Sequence, residues 1–267
     1  MRITGDNICL GIVLVLLLMV PLACALDNDH LKKESVQDPA LEELLSQVQA
    51  RTAALTSYEC QLEYIFDQPD FESRTERLGK MYILRHGKAS HLRISFETLK
   101  QDDQQPQTYI EHFIFDGVWL THIDFQLKSV QKTQMADPNE PVDALELAAR
   151  DLPIIGFTDV KQMLEDFDMK VAPGEETGQE HITSLHLSVK TGSRFASDYR
   201  TIVCWFDKNE WLPIRIEATT READIYRIRF IASKINQELD DSIFYIKIPK
   251  GFNQPEVVPL NAQRGNK

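Results

Sequence analysis

An alternation of apolar and polar residues with a period of two, repeated in many short segments, constrains this chain more than any other feature. Tyr58, Cys60, Leu62, Tyr64 and Phe66 alternate with Glu59, Gln61 and Glu63. Successive strand side chains point to opposite faces, so this pattern buries one face of a sheet and wets the other. Strands are expected at 78–84, 92–96, 109–115, 118–123, 129–133, 169–171, 182–189, 201–206, 212–217, 225–235 and 243–248. Turn chemistry separates them: Gln68-Pro69-Asp70, His86-Gly87-Lys88, Asp116-Gly117 and the loop Asp207-Lys208-Asn209-Glu210. Asp-Gly between apolar runs is a strong hairpin signal. In 225–235, Tyr226, Ile228, Phe230 and Ala232 are expected to face one way, with Arg227, Arg229 and Ser233 opposite. No internal repeat or dividing linker interrupts the series. The expected fold is mainly β with a minority of helix (α+β), built on one large curved antiparallel sheet.

Two regions break the period. Asp38-Pro39 supplies an N-cap and a proline at the first helical position. Leu41, Leu44, Leu45, Val48, Thr52 and Leu55 then recur at helical spacing, which predicts an amphipathic helix over 39–55. In the middle, Asp143 is expected to cap a short helix through Arg150, and Thr158 to begin another through Phe167. Between them, Leu152-Pro153-Ile154-Ile155-Gly156-Phe157 is apolar but too irregular for a strand. It is expected to lie across the mouth or edge of the sheet.

The N-terminus reads as an export signal over 1–25. Arg2 precedes an apolar run, Ile8 to Leu22, with Pro21 near its end, and the small-x-small site Ala23-Cys24-Ala25 follows. Cleavage after Ala25 is favoured. Lipidation at Cys24 and a retained N-terminal membrane anchor are the alternatives; Pro21 stands where a lipidation motif has Leu. All three place the folded part outside the cytoplasm, with a periplasmic location for the cleaved form. A polar tether over 26–37, a single domain over 38–254 and a loose tail over 255–267 complete the organisation. The formal charge of −12 is unchanged by removing Arg2 and Asp6 with the signal. Such a balance argues against nucleic acid, whose phosphates require a basic patch.

Catalytic signatures are missing from the sequence: there is no G-x-S-x-G, P-loop, H-E-x-x-H or C-x-x-C. No enzyme activity and no cofactor are expected. Cys60 and Cys204 fall in strands, where a disulfide and two buried thiols are both open readings. If Asp116-Gly117 forms a two-residue loop, Phe115 opposes Val118, Phe113 opposes Leu120 and Glu111 opposes His122. His112 and His122 then point to opposite faces, and His91 alone makes no metal site; none is expected. Phe113, Phe115, Val118 and Leu120 share one face while Ile114 and Trp119 occupy the other, so both faces of this hairpin are expected to be covered. Tyr64, Phe66, Phe113, Phe115, Tyr226, Ile228 and Phe230 are the candidates to line one concave apolar surface, which is either a hollow or a filled core.

The order of these segments resembles a known family. Gly79-Lys80-Met81-Tyr82-Ile83-Leu84-Arg85 is similar to the G-x-hydrophobic-x-hydrophobic-x-R-P segment of the outer-membrane lipoprotein carrier (LolA) and lipoprotein-sorting family, with His86 in place of the Pro. Asp116-Gly117-Val118-Trp119-Leu120 resembles its D-G hairpin, and Leu152-Pro153-Ile154-Ile155 falls at its apolar lid. Asn236, Leu239, Phe244, Pro249 and Gly251 follow its closing pattern. The resemblance covers about Leu41 to Phe252. It implies an unclosed antiparallel β half-barrel covered by helices, whose hollow shields lipoprotein acyl chains or another lipid during transport toward the outer membrane. It also implies that Arg85 latches a lid formed by Leu152, Ile154, Ile155 and Phe157. A sensor or protein-interaction domain on the same fold, with a membrane-associated protein partner and no lipid cargo, is the alternative.

Overall fold

The computed structural model describes residues 38–145, 147, 160–173 and 181–260. The expected signal, tether, hairpin-to-helix segment 152–157 and the end of the tail lie outside these residues.

Twelve strands form one sheet. In chain order they are β1 (Ser57–Gln68), β2 (Ser73–His86), β3 (Ala89–Gln101), β4 (Gln107–Phe115), β5 (Trp119–Asp124), β6 (Ser129–Gln134), β7 (Phe167–Pro173), β8 (Ile182–Val189), β9 (Tyr199–Asp207), β10 (Leu212–Thr220), β11 (Ile225–Ile235) and β12 (Glu256–Val258). Their spatial order is β12-β6-β5-β4-β3-β2-β1-β11-β10-β9-β8-β7. The chain therefore meanders outward from β1 to β6, crosses to the far edge, and meanders back to β11 on the other side of β1. All ladders are antiparallel except β12 on β6. The ladder does not join β7 to β12, so the sheet is unclosed.

Helix α1 (Pro39–Ala53) starts as its sequence dictates. The Asp38 carboxylate accepts from Ala40 N at 3.0 Å, and Pro39 occupies the first turn, where no N–H is needed. Leu41, Leu44, Leu45 and Val48 are buried against one face of the sheet. Each such side chain contributes on the order of 1.5–3 kcal/mol relative to exposure. The stretch from β6 to β7 shares that core through Ala144, Leu145, Leu147 and Met163, the last on α2 (Val160–Asp166). Asp143 Oδ1 accepts from Leu145 N at 2.9 Å, capping the separate helical turn that begins at Ala144.

Four expectations are corrected. The 243–248 segment is not a strand: Asp241–Phe244 is a 3-10 turn, and Ile246, Ile248 and Phe252 pack as an extended strap on Ile114, Ile123 and Val130. That strap, rather than a helix, covers the outer face of the β4–β5 hairpin. The tail is not loose from 255, because Glu256–Val258 pairs with Gln131, Lys132 and Thr133. The hairpin register is two residues off the expected one: Phe115 faces Leu120, Phe113 faces His122 and Glu111 faces Asp124. Asp116 Oδ1 accepts from both Val118 N (2.9 Å) and Trp119 N (2.7 Å), which holds Val118 in the loop. A shift of two keeps parity, so His112 and His122 still lie on opposite faces.

The fourth correction concerns Ala232. The β1–β11 register slips between Glu59 and Gln61, and Ala232 adopts φ 53°. This bulge reverses the side-chain alternation: Ala232 is exposed, and Ser233, also exposed, takes the parity of Ile235 and meets the Tyr58 hydroxyl at 2.8 Å. Cys60 and Cys204 are free and buried. They lie on strands three ladder steps apart, β1-β11-β10-β9, roughly 14 Å along the sheet, beyond the reach of a disulfide. Burial pushes the Cys60 thiol up to about 12, with Cys204 raised as well, so both stay protonated and unreactive.

Candidate functional site

The concave face of the sheet is built from alternate residues of separate strands. Tyr64, Phe66, Phe113, Phe115 and Phe230 are buried in the main core, and Tyr226 and Ile228 pack against it from its margin. Ladder pairing explains the arrangement: Phe66 faces Tyr226, Tyr64 faces Ile228 and Leu62 faces Phe230. Phe66 and Tyr226 stack at 4.7 Å, while Tyr64, Phe96 and Phe113 form a chain of tilted rings at 6.2 and 6.5 Å. Phe113 and Phe115 are themselves almost fully buried.

A recess remains at the other end of this face, beside the last turn of α1. It is a small, half-open recess with a cavity volume of about 40 Å³, between Leu55, Tyr58, Met81, Ile83, Leu212 and Phe230. Leu145 and Pro213 extend its apolar wall, and Thr52 borders it with a hydroxyl. Of the seven residues singled out in the sequence, Phe230 alone borders it. Met81 and Ile83 lie in the Gly79–Arg85 segment, whose alternation signals that they share a face; Leu55, Leu145 and Leu212 come from elements whose approach no local pattern reveals.

Arg85 joins the two elements that flank the recess. Its Nη1 donates to the carbonyls of Thr52 (2.6 Å), Ala53 (3.4 Å) and Leu55 (3.0 Å), at the end of α1. Its Nε donates to Asp143 Oδ2 at 2.9 Å, at the start of the stretch that carries Leu145. A guanidinium suits both tasks, because its planar fork satisfies several orphan helix carbonyls while keeping its charge. Asn236 closes the same corner: its side chain accepts from Thr56 N at 2.8 Å and donates to Ala54 O at 3.1 Å. Asn tolerates the left-handed backbone (φ 54°) required there. Leu152, Ile154, Ile155 and Phe157 lie outside the described residues.

The Phe113 end of the concave face holds a buried polar network. Arg77 pairs with Glu111, and Glu111 Oε1 lies 2.6 Å from His122 Nε2. His122 stacks on Phe113 at 4.4 Å, and Arg77 lies over the Phe96 and Tyr109 rings. The sequence signal was present, since Glu111 shares its parity with Phe113 and Phe115, but charged residues in a strand read by default as solvated.

His112 sits on the opposite face under Phe125, with its Nδ1 buried and without a partner among the described residues. Burial, followed by the nearby Arg93 charge and opposed by Glu111, pushes its pKa down to about 4. The unfolded chain binds this proton near 6.5, so neutral His112 contributes its full stabilisation above that value and loses it as pH falls toward 4. After allowance for nearby solvent the loss is about 2 kcal/mol. Urea unfolding at pH 7 and pH 4 should show this extra loss in the wild type and not in His112→Gln; equal losses would remove His112 as the cause.

On the same outer face, His86, His91 and Asp241 come together. The β2–β3 turn places both imidazoles on one face, which the His86-Gly87-Lys88 signal implies. Asp241 arrives from far along the chain, and spacing arguments could not find it.

No family model and no curated protein matches the sequence. Among solved structures, the chain is similar to the Mycobacterium tuberculosis lipoprotein LppX, at 13% identity and a TM-score of 0.44, over 76% of this chain and 99% of that one. It is similar to the Pseudomonas aeruginosa MucA/MucB complex structure at 11% identity and a TM-score of 0.44, over 78% of this chain and 61% of that one. It is also similar to a LolA superfamily protein from Nitrosomonas europaea at 10% identity and a TM-score of 0.33, over 77% of this chain and 97% of that one. Likenesses of this size concern the fold and assign no activity, cargo or partner.

Proposed function

We propose that the protein is an exported, non-catalytic binding protein that holds an acyl chain, from a lipoprotein or another lipid, beneath α1. The observation that carries this reading is the apolar recess between the end of α1, Leu145 and the concave face, with Arg85 bridging its two flanking elements. An acyl chain gains about 0.8 kcal/mol per buried CH₂, so a few methylenes in the recess supply measurable affinity. A longer chain enters by moving α1 away from the sheet. Arg85 then sets the cost of opening, as the bonds from its guanidinium to α1 must break first. The 152–157 segment is apolar and close in sequence to the Asp143–Leu145 flank, which suits it to cover a cargo.

A fluorescent fatty-acyl probe tests this. Wild type is expected to bind it, with a lipopeptide competing. Met81→Trp fills the recess and should reduce probe affinity at least tenfold while the protein stays folded. Arg85→Leu should speed probe release and hydrogen exchange at the α1 end several-fold. If the wild type binds no probe, or Met81→Trp binds like the wild type, the recess is not a lipid site. A protein-interaction domain on the same fold is then the remaining reading.

A further inference from the structure

The outer face of β2 and β3 carries three donor groups that neither the recess nor the core uses. His86 ends β2, His91 lies on β3, and Asp241 opens the 3-10 turn of the C-terminal strap. One ligand atom from each lies within 4.8 Å of the other two. His86 faces Ala89 and Leu84 faces His91, so the imidazoles are diagonal neighbours on one face. Their rings meet edge-on at 4.8 Å. His86 Nε2 is 3.2 Å from Asp241 Oδ1.

The strap presents Asp241 from an anchored backbone. Arg93 Nη1 donates to Ile243 O at 2.6 Å, Asp240 Oδ1 accepts from Ser242 N at 2.8 Å, and buried Phe244 lies 5.5 Å from the His91 ring. The side chains of His86 and Asp241 remain exposed on this scaffold. His91 Nδ1 is buried and has no hydrogen-bond partner among the described residues, so no existing bond at that nitrogen opposes a ligand.

We propose that His86, His91 and Asp241 bind one divalent transition-metal ion of the Zn²⁺ class, which clips the C-terminal strap to the β2–β3 hairpin. Two imidazole nitrogens and one carboxylate suit Zn²⁺, Ni²⁺ or Cu²⁺ and not Mg²⁺ or Ca²⁺, which take oxygen ligands. A tetrahedral ion with bonds of about 2.0–2.1 Å needs its ligand atoms roughly 3.3 Å apart. The His86–Asp241 separation already matches, and rotation of these two exposed side chains closes the rest. The fourth position faces solvent and takes water. The strap covers Ile114, Ile123 and Val130 and leads into β12, so an ion here ties the end of the chain to the middle of the sheet.

The test uses tag-free full-length protein, titrated with Zn²⁺ and, separately, Mg²⁺ by calorimetry. One Zn²⁺ per chain is expected to bind, to raise Tm and to slow hydrogen exchange over 240–252, while Mg²⁺ does none of these. His91→Ala and Asp241→Asn should each weaken Zn²⁺ binding at least tenfold and abolish the Tm shift. His86→Gln and Asp241→Asn alter exposed positions, so unchanged circular dichroism secures the result should His91→Ala fail to fold. Absence of stoichiometric binding, or undiminished binding in the variants, overturns the site. Binding that leaves strap exchange unchanged overturns the clip.

Discussion

Gly79→Ala is expected to destabilise the protein by about 3–5 kcal/mol, among the largest effects of any single methyl group added to it. Gly79 lies where the β2–β3 register slips, with Leu78 facing Thr98 and Gly79 facing Phe96. The bulge brings the backbone of β3 close to the Gly79 Cα. A Cβ there collides with the Ser95 carbonyl oxygen and comes within 2.8 Å of Phe96 Cα. Backbone atoms in the middle of a ladder cannot rotate away as a flexible side chain does. Gly87→Ala is the control. Its Cβ meets nothing within 4 Å, and the cost there comes only from φ 65°, about 1–2 kcal/mol. Urea unfolding of both variants checks the comparison. If Gly79→Ala costs no more than Gly87→Ala, the close approach does not control this strand pair.

Glu111→Ala should cost about 3–5 kcal/mol, because it strips the carboxylate from a buried guanidinium. The side chains of Arg77 and Glu111 are only 5% and 3% exposed, so water cannot replace the lost partner. Removing both charges avoids that penalty. Arg77→Met with Glu111→Ala is expected to cost less than Glu111→Ala alone, the signature of strong coupling in a double-mutant cycle. Additive losses, or a Glu111→Ala cost below about 1 kcal/mol, would show that solvent reaches the pair. A polar network at this position makes that end of the concave face less suited to an acyl chain than the apolar recess beside α1.

The period-two segments, the Asp38-Pro39 cap and the leucine stripe of α1 were legible because each is a local pattern that repeats within a few residues. They fix which residues form strands and which parity is apolar. The hairpin at Asp116-Gly117 was legible in place but not in register, since Val118 N and Trp119 N both donate to the Asp116 carboxylate and move the turn one residue along the chain, which shifts the pairing by two. Ala232 failed for a related reason: a bulge depends on the partner strand, and its sequence carries no glycine to announce it. The 243–248 segment has the alternation of a strand, yet no ladder position receives it, so its apolar residues turn down onto the outside of the β4–β5 hairpin.

The sequence by itself determined the mainly β class, the single meandering sheet, the amphipathic helix that caps it and the apolar face they share. Those features follow from side-chain alternation and capping, whose range is one or two turns of backbone. The tertiary structure alone decided where the recess beside α1 forms. The recess needs Leu55, Leu145, Leu212 and Phe230 to converge from four separate elements. It also decided that Arg85 bridges α1 to Asp143, that Glu111 holds Arg77 inside the sheet, and that Asp241 stands over two histidines. Each depends on curvature and on chain crossings that bring distant residues within a few ångströms, and no local pattern encodes that distance.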